Sequence, residues 1–307
     1  MEFCKFIESV KEEIAKLCGK DKEIIIREVP GIIGVMRTGM SIQGKDEKNV
    51  SIVYLDTYYD NFLNGHMSVS STARDIYQML SIHKEDVLPD IDLNDFEMVK
   101  GRVIYRLVDC KRNEKLLWNV PYIKYCDLAI IFYLLLDRNE KGQMTALIHN
   151  EHMEMWRADV DTLYRLAKKN VLKLLPPSVR SMADVISGIV REYMGDDYRD
   201  EVMADLLGAQ VISPIYILTN QDGNNGAAVI LYEGVLKDFA KTVESDLFIL
   251  PSSIHEMLLI PYEDGVNIRE LREMVKHINS TEVPMEDVLS DNVYLYRRET
   301  DTVTILK

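Results

Sequence analysis

The longest uninterrupted apolar run in the chain extends from Leu128 to Leu136 and is bounded by Asp127 and Asp137. A helix that crosses a bilayer needs about 18 or more apolar residues in a row, so this run is too short to span a membrane. Its length is that of a strand. We therefore expect a buried element inside a folded domain, and no membrane partner.

The composition is that of a folded, acidic protein. Hydrophobic residues make up 47% and charged residues 28% of the 307 positions, which is enough to bury a full core. Single cores rarely grow past about 250 residues, so two domains are expected. The formal net charge of -14 repels phosphate backbones, and nucleic acid is therefore not the expected partner.

The N-terminus and the cysteines indicate a cytoplasmic protein. The opening MEFCKFIESVKEEIAKL carries acids where a secretion signal has positive charge, and it has no small-residue cleavage site. The four cysteines are widely spaced and form no CxxC pair, which argues against a zinc cluster and against a disulfide framework. We expect them to be small core residues, and we expect no cofactor. They are Cys4, Cys18, Cys110 and Cys126.

Residues 1–90 are predicted to form a small module of helices and strands. Apolar residues recur every three or four positions between Phe3 and Gly19, which predicts an amphipathic helix. Three β-branched segments follow, EIIIREV, GIIGVMRTG and NVSIVYLD, with turn residues between them. Helical spacing returns at 58–63 and at 71–82, and a serine at position 70 or 71 is the predicted N-cap of the second helix.

Residues 96–307 are predicted to form a larger domain, because the polar segment DIDLNDF before it has the character of a junction. RVIYRLVD predicts a strand, and DLAIIFYLLLD with QMTALIH predicts a hairpin that runs into a helix capped by Asn150. A helical segment at about 157–210 follows, with a break at Pro176 and Pro177.

The last third of the chain continues with short strands and helices. IYILTN and AAVILY predict a hairpin around the turn QDGNNG, and LFILPSS, HEMLLIP, YLYRRE and TVTIL predict further strands. Together these patterns predict an α+β fold, in which the small N-terminal module is followed by a larger mixed or antiparallel sheet with helices packed on it.

Three segments of this last third resemble a known bacterial family. They are NQDGNNGAAVILYEGVLKDFA, DLFILPSSIHEMLLIP and VLSDNVYLYRRET, of which ILPSSIHE is the most specific. In this order they are similar to the family catalogued as domain of unknown function 5688, and the resemblance also covers the N-terminal helix with its strands. The resemblance identifies relatives and implies no activity, cofactor or catalytic residue.

The stretch Ser252, Ser253, His255 and Glu256 collects the residue types of a nucleophile, its base and an orienting acid. In an extended chain Ser253 and His255 share a face and Glu256 points to the other, whereas a triad needs the acid behind the histidine. The alternative is a turn after Pro251 in which the serines satisfy backbone groups. Catalysis by Ser253, His255 and Glu256 stays open as the hydrolase alternative.

His149 and His152 are the candidate metal ligands, because one helical turn could bring the two imidazoles together. Their spacing is not that of the HExxH motif, and no third ligand with a related spacing follows. The neighbouring acids Glu151 and Glu154 are explained by the positive end of the helix that begins there. We therefore predict no metal site.

A basic stretch opposes the net charge of the chain. Seven basic and three acidic residues lie between Glu97 and Lys124, and the bases proposed for binding are Arg102, Arg106, Lys111, Arg112 and Lys115. In a strand Arg102 and Arg106 share a face, and Tyr105 and Trp118 are near in sequence, as expected for a contact with nucleic acid or an anionic protein. The alternative is a solvated surface.

No catalytic or cofactor signature meets its spacing requirement, so the leading prediction is a non-enzymatic cytoplasmic protein that binds a protein partner. A hydrolase with its site around Ser253, His255 and Glu256 is the first alternative. A nucleic-acid-associated protein that uses residues 100–124 is the second, and its affinity would fall steeply with salt.

Overall fold

The structure is a computed structural model of the chain. It describes residues 1–18, 22–30, 36–44, 52–63, 65, 67–85, 91–139, 142–194 and 214–306. The chain divides into two compact units, Met1–Asp92 and Leu93–Lys307. Helices and antiparallel sheets occur in both units, which confirms the predicted α+β class. No helix among the described residues is long and apolar enough to cross a membrane.

The N-terminal unit packs three helices against a small antiparallel sheet of order β1-β2-β3. Its elements are α1 (Phe3–Leu17), β1 (Lys22–Pro30), β2 (Met36–Gly44), β3 (Val53–Tyr54), α2 (Leu55–Leu63) and α3 (Val69–Glu85). The predicted stripe of α1 is buried, since Phe6, Val10 and Ile14 have no exposed surface and pack in one cluster with Met40 and Ile76. Burial of each such side chain contributes about 1.5–3 kcal/mol.

The first half of the C-terminal unit is built on a long central strand. Its elements are α4 (Phe96–Val99), β4 (Val103–Asp109), α5 (Glu114–Leu117), β5 (Tyr122–Tyr125), β6 (Leu128–Asn139), β7 (Gly142–Leu147), α6 (Asn150–Trp156) and α7 (Val160–Leu174). The apolar run from Leu128 to Leu136 lies in β6, which pairs with β4, β5 and β7, always antiparallel. Helix α7 packs on β4, where Asn170 Nδ2 donates to the carbonyls of Lys100 and Val103, each at 2.9 Å.

The second half of the unit is a six-stranded antiparallel sheet of order β13-β12-β10-β11-β9-β8. Its elements are β8 (Pro177–Ser181), α8 (Met182–Met194), β9 (Tyr216–Asn220), α9 (Val235–Thr242), β10 (Leu247–Pro251), β11 (Met257–Pro261), α10 (Ile268–Thr281), β12 (Tyr294–Arg297) and β13 (Thr302–Ile305). Helix α10 covers this sheet through Val275, which packs with Phe248, Leu250 and Leu295.

The segment AAVILY is not the strand that the sequence predicted. Gly226–Leu231 is a 3₁₀ helix, and its residues from Gly226 to Ile230 are all buried. A β-strand has two edges, and those of β9 are already paired with β8 and β11. The segment therefore has no edge of β9 left to pair with and turns inward as a helix.

Two predicted helix starts move by a few residues. His149, and not Asn150, is the N-cap residue of α6. In α3 the cap is Ser68, whose Oγ accepts from the backbone N of Ser71 at 3.2 Å while Ser71 Oγ accepts from Ser68 N at 2.8 Å. The two serines thus satisfy each other's amides in a reciprocal capping arrangement.

The structure differs from two further predictions, one on the segment at about 157–210 and one on the burial of the cysteines. Strand β8 interrupts the segment at about 157–210 that was expected to be helical, and positions 195–210 lie outside the described residues. The cysteines are not core residues, because Cys4 is exposed and the other three are partly exposed. All four are free thiols.

The carboxylate of Asp127 hydrogen-bonds between the two sheets of the C-terminal unit. Asp127 lies in the tight turn between β5 and β6, and its Oδ1 accepts from the hydroxyl of Tyr294, at the start of β12, at 2.7 Å. Its Oδ2 accepts from Ser290 Oγ at 2.6 Å and from Asn292 Nδ2 at 2.9 Å. Burial, and then the negative charge of Asp127, raise the pKa of Tyr294.

We expect Tyr294→Phe to lower the free energy of unfolding by about 1–2 kcal/mol, because it removes a buried donor to a charged acceptor. Denaturant unfolding followed by circular dichroism measures this difference. Tyr122→Phe is the matched control, since Tyr122 is 44% exposed and its change should have almost no effect. Equal losses in the two variants would contradict the role assigned to Asp127.

Candidate functional site

The segment ILPSSIHE forms a tight turn between β10 and β11, and its serines are used within that turn. Ser253 N donates to Glu256 O at 3.3 Å, and Ser253 Oγ accepts from the backbone N of His255 at 3.0 Å. Ser252 Oγ donates to Glu256 Oε1 at 3.2 Å. Both hydroxyls therefore have roles in holding the turn, as in the turn alternative considered from the sequence.

The imidazole of His255 lies between two groups that the sequence did not connect to it. Its Nδ1 accepts from the backbone N of Asn225 at 3.2 Å. Its Nε2 lies 3.5 Å from Asp287 Oδ1. Because Nδ1 is an acceptor, the proton of the neutral ring is on Nε2 and faces Asp287. The acid next to the imidazole is thus Asp287, while Glu256 is held by Ser252.

A serine hydrolase needs a hydroxyl at one nitrogen of the histidine and an acid at the other. In the part of the chain that the structure describes, His255 has its acid, but a backbone amide occupies the second nitrogen. Asn220, the last residue of β9, holds its own loop, since its Nδ2 donates to Asn224 O at 2.8 Å. The geometry joins His255 to an acid and does not join it to Ser253.

The loop that places Asn225 at the imidazole depends on Gly226. Thr219 Oγ1 donates to the carbonyl of His255 at 2.8 Å, and Gly226 passes directly beside this bond. A Cβ on Gly226 would lie 2.0 Å from Thr219 Oγ1 and 2.6 Å from His255 O. Asn225 itself has a positive φ of 51°, a conformation that asparagine tolerates better than most residues. The segments GNNGA and SSIHE are therefore locked against each other.

His149 and His152 lie together at the start of α6. Their ring centroids are 5.8 Å apart, and His152 Nδ1 accepts from the backbone N of His149 at 2.9 Å. His152 also stacks on Trp156 at 5.2 Å, and Trp156 Nε1 donates to Leu93 O. Among the described residues no group of three or more His, Cys, Asp or Glu side chains could hold a metal ion.

The basic stretch divides into an internal and an external part. Arg102 donates to the carbonyl of Leu136 at 2.7 Å, and Arg106 lies over the ring of Tyr133 and donates to Thr145, so both are engaged inside the fold. Lys111 and Lys115 are exposed, and Arg112 lies 3.6 Å from Asp291.

Trp118 follows α5, and its side chain is 79% exposed. It marks the outer part of the basic stretch as a surface with both charge and a large apolar group.

Sequence reasoning missed Asn225 and Asp287 as neighbours of His255, and it missed the buried setting of Arg106. Asp287 lies in a stretch without regular spacing, and its main-chain carbonyl accepts from Ile254 N at 2.8 Å. No local pattern indicates such a long-range pair. For Arg106 a signal existed, since it stands in the middle of a strand-forming apolar segment.

A family model described as a family of unknown function, DUF5688, matches residues 3–298. The chain therefore belongs to this family, as the resemblance of its motifs suggested. No curated protein and no solved structure matches the chain.

We expect Gly226→Ala to destabilise the protein by about 1–3 kcal/mol, because the added methyl group must displace a main-chain carbonyl or a buried threonine. The midpoint of denaturant unfolding tests this. Gly188→Ala is the control, since its Cβ meets no atom within 4 Å and alanine favours the interior of α8. A loss in the control as large as that in Gly226→Ala would contradict the close approach described above.

We expect protonation of His152 to contribute to the pH dependence of the free energy of unfolding. Burial, and then the nearby His149, lower the pKa of His152 below its ordinary value. The unfolded chain therefore takes up a proton at a higher pH than the folded protein, so the free energy of unfolding falls as the pH drops through about 6.5 and below.

Thermal or denaturant unfolding at pH 7.5 and pH 5.5 measures this contribution. The difference between the two pH values should shrink in His152→Gln, whose side chain can still accept from His149 N. It should persist in His277→Gln, which changes an exposed histidine of α10. An unchanged difference in His152→Gln would show that His152 does not contribute.

Proposed function

We propose that this member of the family is a non-enzymatic binding protein that docks an acidic face of a protein partner on residues 111–124. The observation that carries the proposal is Trp118, whose side chain is 79% exposed. Exposure of a tryptophan on this scale is unfavourable in water. Tryptophan is also the residue type most enriched among the side chains that dominate binding energy at protein interfaces.

Hydrogen bonds hold the backbone around Trp118 in place, while its ring is exposed. Asn150 Nδ2 donates to the carbonyl of Trp118 at 3.1 Å, and Asn150 N donates to the carbonyl of Asn119 at 3.0 Å. The start of α6 thus holds the turn that presents the ring. A partner that covers the ring has little backbone entropy to remove, which favours affinity.

The groups around Trp118 favour an acidic partner. Lys111, Lys115 and Lys124 are exposed, and the side chain of Tyr122 on β5 is 44% exposed. Positive charges beside an apolar anchor attract a negative surface and speed its association. We therefore assign the exposed surface of residues 111–124 as the docking surface.

A protein partner is favoured over nucleic acid by two observations. The net charge of -14 opposes the approach of a polyphosphate as a whole. Of the five bases considered from the sequence, Arg102 and Arg106 are engaged inside the fold. The exposed positive charge that remains is modest, which suits a protein surface better than a phosphate backbone.

The hydrolase alternative gains less from the geometry. His255 has an acidic neighbour, but Ser253 accepts from the backbone N of His255 and not from its imidazole. Ser252 is hydrogen-bonded to Glu256. The side chains of ILPSSIHE thus support one another as a turn.

The test is affinity purification of the tagged full chain from nuclease-treated extracts of its native cell, with mass spectrometry of the retained proteins. A retained partner is then purified, and its dissociation constant is measured for the wild type, Trp118→Ala and Lys115→Glu. Trp118→Ala should weaken binding about 30-fold or more, equivalent to ~2 kcal/mol, and Lys115→Glu should weaken it by a smaller factor that decreases with salt.

Met285→Ala and His255→Ala are the controls. Met285 is another exposed apolar side chain, at 68%, and its loss should leave binding unchanged. A partner that binds Trp118→Ala as tightly as the wild type contradicts the proposal. A ligand that is lost only in His255→Ala also contradicts it and would place the function at the site around His255. Retention of nucleic acid alone, when the purification is done without nuclease treatment, contradicts it as well.

A further inference from the structure

Arg106 occupies an unusual position for a charged side chain. It lies in the middle of β4, opposite Ile131 of β6, and its guanidinium carbon lies 4.2 Å from the ring centroid of Tyr133, the next residue on the same face of β6. Its terminal nitrogen Nη2 donates to Thr145 Oγ1 of β7 at 3.1 Å. The side chain thus reaches from β4 across β6 to β7.

The charge of Arg106 has no opposite charge beside it in the described part of the chain. Its contacts there are with neutral groups, the hydroxyl of Thr145 and the side chain of Tyr133, which it both overlies and hydrogen-bonds. Its Nε is buried without an acceptor among the described residues. Burial lowers the pKa of Arg106, although an arginine remains protonated at neutral pH.

Three other arginines of the unit have carboxylate or carbonyl acceptors. Arg138 pairs with Asp222 at 2.6 Å, and Arg297 lies 3.5 Å from Asp246. Arg102 donates to two main-chain carbonyls, those of Leu135 and Leu136. Arg106 differs from these three because its Nε is buried without an acceptor among the described residues, a property that it shares with Arg272.

A charge that is largely removed from water without an opposite charge beside it is costly, and an apolar residue of similar length would avoid that cost. The cost is offset when an anion binds to the guanidinium. The planar fork of nitrogen donors matches the two oxygens of a carboxylate or a phosphate. The hydroxyl of Thr145 accepts from Arg106, so its own proton remains available to a second oxygen.

The same face of the sheet reaches solvent close to Arg106. The row of paired residues Arg106, Ile131 and Tyr122 places Tyr122 on this face, and the next row places Lys124 there. Tyr122 and Lys124 are both exposed, and the side chain of Arg106 is itself partly exposed. A small ligand that approaches over β5 would meet the positive charge of Lys124 before it reaches the guanidinium.

We propose that Arg106, together with the hydroxyl of Thr145, forms a binding site for a small oxyanion, either a carboxylate or a phosphate group, on the face of the sheet formed by β4, β6 and β7. This proposal does not depend on docking at Trp118, although Tyr122 and Lys124 belong to both surfaces. The ligand would supply the negative charge that the described residues do not place beside Arg106.

The experiment uses the purified full chain with sodium phosphate and with sodium acetate as the probes, at constant ionic strength maintained with sodium chloride. Arginine Nε–H resonances of the ¹⁵N-labelled protein are followed during each titration, and the Arg106 signal is assigned by its loss in Arg106→Lys. The thermal midpoint is measured in parallel. We expect a saturable shift of the Arg106 signal and a rise of the midpoint with at least one probe.

Substitutions distinguish a role of Arg106 in binding from a purely structural role. Arg106→Gln should weaken binding of the probe at least tenfold, and Thr145→Val should weaken it by a smaller factor. Arg180→Gln is the control, because Arg180 is an exposed arginine on β8, and it should bind like the wild type. A response to phosphate alone assigns a phosphate-bearing ligand, and a response to acetate assigns a carboxylate.

Three results would overturn the proposal. The first is an Arg106 signal that neither probe shifts. The second is binding that Arg106→Gln retains in full. The third is a thermal unfolding midpoint that sodium chloride raises as much as the probes do at the same ionic strength. The first and third results are measured on the wild-type protein, so they do not depend on whether Arg106→Gln and Thr145→Val fold.

Discussion

The carboxylate of Asp127 is the interaction on which the arrangement of the C-terminal unit depends. It accepts from Ser290, Asn292 and Tyr294, and so it joins the turn after β5 to the chain that enters β12. A carboxylate with several donors forms charge-assisted bonds that are stronger than those between neutral groups. The segment just before these residues carries Asp287, whose carbonyl accepts from Ile254 N and whose carboxylate faces His255. The segment that Asp127 holds is therefore continuous with the one that contacts the His255 turn.

The sequence predicted those elements whose stability is decided locally or by burial. The run from Leu128 to Leu136 became the central strand β6, and the stripe of α1 became the core of the N-terminal unit. The prediction failed for AAVILY, which has the composition of a strand but forms a 3₁₀ helix. Strand propensity describes how well a residue fits a half-buried pleated surface, and it does not indicate whether a free strand edge exists. That information lies in the pairing of β9 with β8 and β11, which only the whole fold determines.

In the candidate sites, too, the residue types could be predicted from the sequence, and their tertiary contacts could not. The residue types of ILPSSIHE are visible in the sequence, but their partners are not, because Asn225 and Asp287 come from distant segments. In the basic stretch, a count of charges treats every arginine and lysine alike. The structure separates them, since Arg102 and Arg106 are engaged within the sheet whereas Lys111 and Lys115 face solvent. Burial, which depends on the tertiary fold, decides what each charge can do.

The polar residues that mark the family segments are largely occupied with one another. Ser252, Ser253 and Glu256 hold the turn, Asn220 holds its loop, and Ser290 with Tyr294 holds Asp127. A side chain whose hydrogen-bonding capacity is used in this way stabilises the fold and has less left to offer a ligand. Function is then better sought at groups whose energy the described fold leaves uncompensated. Trp118 exposes a large apolar ring, and Arg106 has a buried guanidinium nitrogen without an acceptor in the described part of the chain. Each of these costs free energy in the isolated protein, and binding of a partner or a ligand would offset that cost.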